Sequence, residues 1–235
     1  RRQLWRLPRQ LSRRAVTVSA EAHRVRVWDL PTRLVHWALA VLVVVAWLTG
    51  GEQMNIHRYA GYGILGLVVF RLYWGVAGGS TARFSQFVKG PGAVLAYVRG
   101  WRGAPASFGH NPLGALSVLL LVLLLISQLG LGLFAVDVDG LESGPLARFV
   151  DFETGRKAAD LHELNFRLLQ AAVALHLVAI AAYAVFKRRN LVTPMVTGRD
   201  ATPGLEGELR PAPLWRLALG VAIAVLVVVL IARAG

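Results

Sequence analysis

The chain has 235 residues, 55% of them hydrophobic and only 17% charged, and it contains no cysteine; its mean hydropathy is +0.52. Soluble domains are about 45–50% apolar and about 25% charged, so this composition excludes a conventional water-soluble domain. The missing thiols exclude disulfides, cysteine-ligated iron–sulfur centres, c-type haem attached to this chain and thiolate zinc sites.

In chain order, residues 1–24 are a basic N-terminal segment without a cleavage-like site, and the apolar run Leu34–Thr49 is read as an uncleaved first membrane helix. A second run, Tyr59–Trp74, is the weakest, because Gly61, Gly63 and Gly66 lower its helix propensity. Residues 75–110 predict a turn plus a short amphipathic interfacial segment around Val94–Val98. The third run, Leu113–Phe134, is almost pure Leu and Val in its middle and reads as a lipid-facing wall. Residues 134–160 read as an acidic loop, Phe166–Phe186 as the fourth span, 199–213 as a linker, and 214–232 as a fifth span. Each run is near the roughly 20 residues that a helix needs to cross about 30 Å of hydrocarbon. The expected fold is therefore an all-α integral membrane protein: a four-helix bundle over 25–198 plus one further C-terminal transmembrane helix.

Charge gives the expected orientation. Lys and Arg number nine in residues 1–33, five in 71–110 and six in 187–216, but one in 50–58, three in 134–160 and one after Ile231. Positive residues collect on the cytoplasmic face, which predicts a cytoplasmic N-terminus and a periplasmic C-terminus in a bacterial inner membrane. The formal net charge of +13 is thereby explained by topology, and no nucleic-acid partner is expected, since no binding module accompanies it. Asp137, Asp139, Glu142, Asp151, Glu153 and Asp160 give the outer loop the opposite sign, a surface that could steer a basic soluble partner.

Ionisable residues in membrane spans point to function. His162 and His176 are fourteen residues apart, so on a helix they share a face to within about 40° and differ in depth by about 21 Å. With alternating span directions, His36 matches His176 in depth and His57 matches His162. Two imidazoles facing each other across a bundle can hold haem iron between them, and two protein ligands per level are too few for a closed zinc site. His110, in the Gly109-His110-Asn111-Pro112 turn, reads as a capping or solvent-exposed residue, with contact to a haem propionate or quinol as the other reading; His23 receives no role.

The stretches VRVWDLPTRLVHW (25–37), IHRYAGYGILG (56–66), FRLYWG (70–75), FSQFVKGP (84–91), GHNPLGALSVL (109–119), GLF (132–134), HELNFRLLQAAVALH (162–176) and KRRNLVTPMVTG (187–198) together resemble the bacterial di-haem cytochromes b561, a group related to the cytochrome b subunits of nickel–iron hydrogenases. The resemblance implies two b-type haems on His36, His57, His162 and His176, the set reached from spacing. It also implies electron transfer between the quinone pool and a periplasmic partner, either a c-type cytochrome or a redox enzyme subunit. Gly61, one turn after His57, is expected to admit a porphyrin face, and Arg33, Arg58 and Arg167 are candidates to neutralise haem propionates. His110, Asp29 and Glu163 are candidate proton relays for quinol oxidation.

Two features depart from the pattern. The family core has four spans, and for the fifth the open uses are docking a partner, forming a homodimer or anchoring the tail. Only about residues 50–56 separate the first two spans, which counts against a hydrogenase anchor. The alternatives to a quinone-linked cytochrome are thus a cytochrome b anchor of a hydrogenase or dehydrogenase, or a cofactor-free assembly subunit.

Overall fold

The computed structural model describes residues 24–235, so residues 1–23 of the basic N-terminal segment, His23 among them, lie outside the described residues. Eight helices follow in order: α1 (Leu30–Thr49), α2 (Met54–Ala77), α3 (Phe84–Phe87), α4 (Pro91–Arg99), α5 (Pro112–Phe134), α6 (Phe152–Phe186), α7 (Val192–Thr197) and α8 (Leu214–Ala234). Five of them, α1, α2, α5, α6 and α8, are long and apolar enough to cross a membrane. They carry many exposed leucines and valines, among them Leu34, Val41, Leu123 and Leu226. Such faces are stable only against lipid, so the chain is a multi-pass membrane protein.

Helix starts are fixed by side chains. Asp29 caps α1 by accepting from the Thr32 amide at 2.9 Å, Asn111 caps α5 by accepting from Gly114 at 2.9 Å, and Asp151 caps α6 by accepting from Thr154 at 2.8 Å. Two boundaries differ from expectation. Helix α2 begins five residues earlier than its apolar run, placing His57 inside the first turn. The 35 residues of α6 rise about 52 Å, well beyond the hydrocarbon thickness. A third of the expected 134–160 loop is thus the charged start of α6, where Lys157–Glu153 and Arg156–Asp160 pair one turn apart. These i,i+4 pairs support a helix in water but carry no hydropathy signal. The expected turn follows Ala77, and the expected segment around Val94–Val98 is helix α4, with the further short helix α3 before it.

Ile64 and Val68 of α2, Leu125 of α5 and Leu169 of α6 form one core, with Leu39 and Leu42 of α1 against it. Between apolar helices in lipid, close packing rather than burial holds the seams. Helix α8 joins through small residues: a Cβ on Gly66 would meet Val228 at 3.3 Å, and one on Gly220 would meet the Tyr73 ring at 2.6 Å. Ala224 of α8 shares a second cluster with Val35, Phe70 and Trp74. The fifth span is therefore part of the bundle, on the α2 side, with its outer face (Leu214, Trp215, Val225, Leu230) exposed.

The end where α1 starts is closed by a small cap. Val25–Arg26 pairs antiparallel with Arg199–Asp200, Val25 opposite Asp200. Val27, Trp28 and Leu205 form its apolar centre with Phe108 and Met195. The Ser80 amide donates to the Arg210 carbonyl at 3.0 Å, which ties the segment before α8 to the α2–α3 turn. At the opposite end the acidic loop folds back over α5: Gly144 donates to the Ala135 carbonyl and Leu146 to that of Leu133, both at 2.8 Å.

Candidate functional site

At the acidic end, α1, α2, α5 and α6 enclose a cavity of about 800 Å³. Six of the expected residues line it: His57, Arg58, Gly61, His162, Glu163 and Arg167. The His57 and His162 rings stand 6.1 Å apart, centroid to centroid, at 73°. Each ring is anchored from behind. His57 Nδ1 donates to the Ala46 carbonyl at 2.8 Å, and His162 Nδ1 to the Gln128 carbonyl at 2.9 Å. A carbonyl only accepts, so each Nδ1 carries the proton and each Nε2 is left with a free lone pair. This is the second-shell bond that orients metal-binding imidazoles.

Packing fixes the same rings. A Cβ on Gly132 would lie 2.8 Å from His162 Cε1, whereas one on Gly61 would meet nothing within 4 Å. Glycine at 132 thus gives the His162 ring its place, and glycine at 61 leaves open space beside the cavity. Asn165 donates to the Leu124 carbonyl at 3.0 Å and to Gln128 Oε1 at 2.6 Å, locking the α5 turn whose carbonyl holds His162. Sequence reasoning missed Gln128 and Asn165; as polar residues in apolar runs, these two amides were the available signal.

The expected arginines already have partners within the chain. Arg58 pairs with Glu142 of the acidic loop at 2.8 Å, which brings that loop over the cavity mouth. Arg167 pairs with Glu163 one turn away, so this proton-relay candidate is held at the rim. Arg33 is far from this cavity and donates to the Val196 carbonyl of α7.

His36 and His176 occupy the other level, within electrostatic reach of each other. Ser117 Oγ of α5 lies 3.2 Å from His176 Nδ1. His36 Nδ1 is enclosed without a partner among the described residues. His110 is neither a cap nor solvent-exposed, because Asn111 caps α5 and the ring lies between Trp28 and Phe87, 4.6 and 4.4 Å away. Burial, then the nearby charges of Arg71 and His36, push it down to about 3. Asp29 is no free relay either: one oxygen caps α1 and the other accepts from Trp74 Nε1 at 3.0 Å.

Among the described residues no cluster of three His, Cys, Asp or Glu could hold a metal by itself. The His57–His162 pair fits a metallocycle that would supply its remaining ligands itself. The 6.1 Å ring spacing accommodates one metal ion at the about 2 Å of an imidazole–metal bond on each side. Paired imidazoles inside a bundle of membrane-length helices define the class of membrane cytochromes b. Residues 27–198 match the family described as prokaryotic cytochrome b561, and the chain belongs to that family, with a membrane cytochrome-b-like role in electron transfer. It is also 26% identical over 209 residues, 74% of this chain and 87% of the relative, to a protein of Azotobacter chroococcum mcd 1 named as a probable Ni/Fe-hydrogenase B-type cytochrome subunit. No solved structure matches the chain.

Proposed function

We propose that this protein conducts electrons across a bacterial inner membrane through two b-type haems, one between His57 and His162 and one between His36 and His176. One observation carries the reading: His57 and His162 each commit Nδ1 to a main-chain carbonyl and so present a bare Nε2 beside a cavity of about 800 Å³. A haem held by each pair of imidazoles would supply one-electron exchange. The chain's own residues do the rest. Gly61 leaves room for a flat group, Arg58 and Arg167 at the rim can neutralise its carboxylates, and Ser117 orients His176. Arg33, one turn before His36, serves the second level in the same way.

The charge bias supports a cytoplasmic N-terminus and a periplasmic acidic end. Electrons then pass between the quinone pool and a basic periplasmic partner, a c-type cytochrome or a redox enzyme subunit, that docks on the Asp137–Glu142 loop. A hydrogenase is the second reading for that partner, favoured by the name of the Azotobacter relative.

Purified protein tests this directly. A reduced α-band in the b-haem region with about two haems per chain is expected, and folded protein that carries no haem overturns the reading. Reduction of an added c-type cytochrome by quinol favours the first partner; co-purification of hydrogenase subunits favours the second.

A further inference from the structure

The paired histidines leave unused a second cavity, of about 980 Å³, where the C-terminal end of α6 meets α7 and the 102–106 and 199–203 segments. Its lining is strongly cationic: Arg24, Arg102, Lys187, Arg188, Arg189 and Arg199 stand against one carboxylate, Asp200. That carboxylate is already committed. It accepts from Arg189 Nη2 at 2.9 Å, from the Thr202 amide at 2.9 Å and from the Thr202 hydroxyl at 2.6 Å.

Two details mark the cavity as built for an anion. The Arg189 side chain is only 12% exposed and bonds Asp200 and the Ser107 carbonyl through Nη2, yet its Nε is enclosed without an acceptor among the described residues. Buried donors are almost always paired, so an acceptor from outside the chain would complete this guanidinium. Arg188 is the only non-glycine among the described residues with positive φ, +50°. It stands where α6 ends, with the Arg189 amide closing onto the Tyr183 carbonyl at 3.1 Å. Glycine or asparagine suits that position better; an arginine there accepts backbone strain in exchange for a cation on the cavity wall. The crowding is felt by Lys187, which burial and then the Arg189 charge hold below the ordinary lysine value.

The cavity also borders the membrane. Phe186 lines it and, with Val185, belongs to the exposed apolar face of α6, while Trp101 packs edge-on against the Phe186 ring. We propose that this cavity binds the phosphate of an anionic phospholipid, whose acyl chains lie along the Val185–Phe186 face. Guanidinium forks match phosphate oxygens two at a time, and basic pockets beside membrane spans take anionic headgroups. Free phosphate offers the same oxygens, but nothing that would use the apolar rim.

Native mass spectrometry of the full chain, released from nanodiscs of equal cardiolipin and phosphatidylcholine, tests the proposal. The wild type should retain cardiolipin over phosphatidylcholine by at least about tenfold, and the triple variant R102Q/R188N/R199Q should lose that preference. Those three side chains make no hydrogen bond among the described residues, and asparagine tolerates positive φ, so the bundle should keep its thermal unfolding midpoint. A second triple variant, R26Q/K89Q/R99Q, removes the same charge from the same end of the molecule and should retain the lipid. Equal loss in both variants overturns the site, as does an absence of headgroup preference in the wild type. Displacement of the lipid by millimolar inorganic phosphate without loss of thermal stability overturns the lipid as the natural source.

Discussion

The two histidine levels are built differently. At the acidic end both rings donate to main-chain carbonyls, Ala46 and Gln128, and a large cavity adjoins them. At the basic end His176 leans on a serine hydroxyl and His36 Nδ1 has no partner among the described residues. A carbonyl partner fixes one tautomer, whereas a hydroxyl can donate or accept. The acidic pair is thus preorganised by the backbone itself, whereas no main-chain carbonyl holds the basic pair.

Breaking each level separately should have the largest effect. His57→Leu or His162→Leu should leave about one haem per chain, and His36→Leu or His176→Leu should leave the other one. Haem quantitation with low-temperature spectra checks this; loss of the same haem from both sets contradicts the pairing.

Filling the acidic-end cavity should come next. Gly132→Ala drives a methyl into the His162 ring and should lower haem retention at this level by about 10–100-fold, as ligand-orienting changes do. Gly61→Ala, which meets open space, should retain haem and fold normally, while Gly61→Leu should reproduce the Gly132 effect. Haem loss to apomyoglobin is a suitable assay.

Acid should expose a further asymmetry at the basic end. His110 keeps its folded value far below the ordinary 6.5, at about 3, so the unfolded chain binds the extra proton first. Its neutral, buried form contributes stability above about pH 6.5 that is lost progressively as pH falls toward 3. The melting midpoint of the wild type should fall across that window, and His110→Phe, packed between Trp28 and Phe87, should flatten the slope.

The smallest effect belongs to the lid. Arg58 and Glu142 are both part-exposed, so Glu142→Gln should cost about 0.2–1 kcal/mol or less of stability. Its use as a partner-docking surface would appear instead as a weaker salt dependence of cytochrome reduction.

Five spans were legible because lipid imposes length and apolarity on any helix that crosses it. Polar ends were not: His57 and Arg58 hid the start of α2, and the ion pairs of residues 153–160 hid three turns of α6, since water-facing helix has no hydropathy signature. That His57 and His162 face each other was legible from depth and face alone. What holds each ring was not, because Ala46 and Gln128 act through carbonyls that every residue possesses. His110 was misjudged for a related reason. A Gly-His-Asn-Pro turn looks exposed until the chain folds Trp28 and Phe87 over it.

Helix α6 carries one histidine of each pair on a single unbroken rod, whereas their partners come from α1 and α2, which meet at the four residues Gly50–Gln53. The rod works as a ruler. Flexing at the short hairpin can open or close the gap within a pair, but it cannot alter the about 21 Å of helical rise between levels. On the proposed function, the spacing of the two redox centres is thereby set by one helix and insulated from movement at either surface.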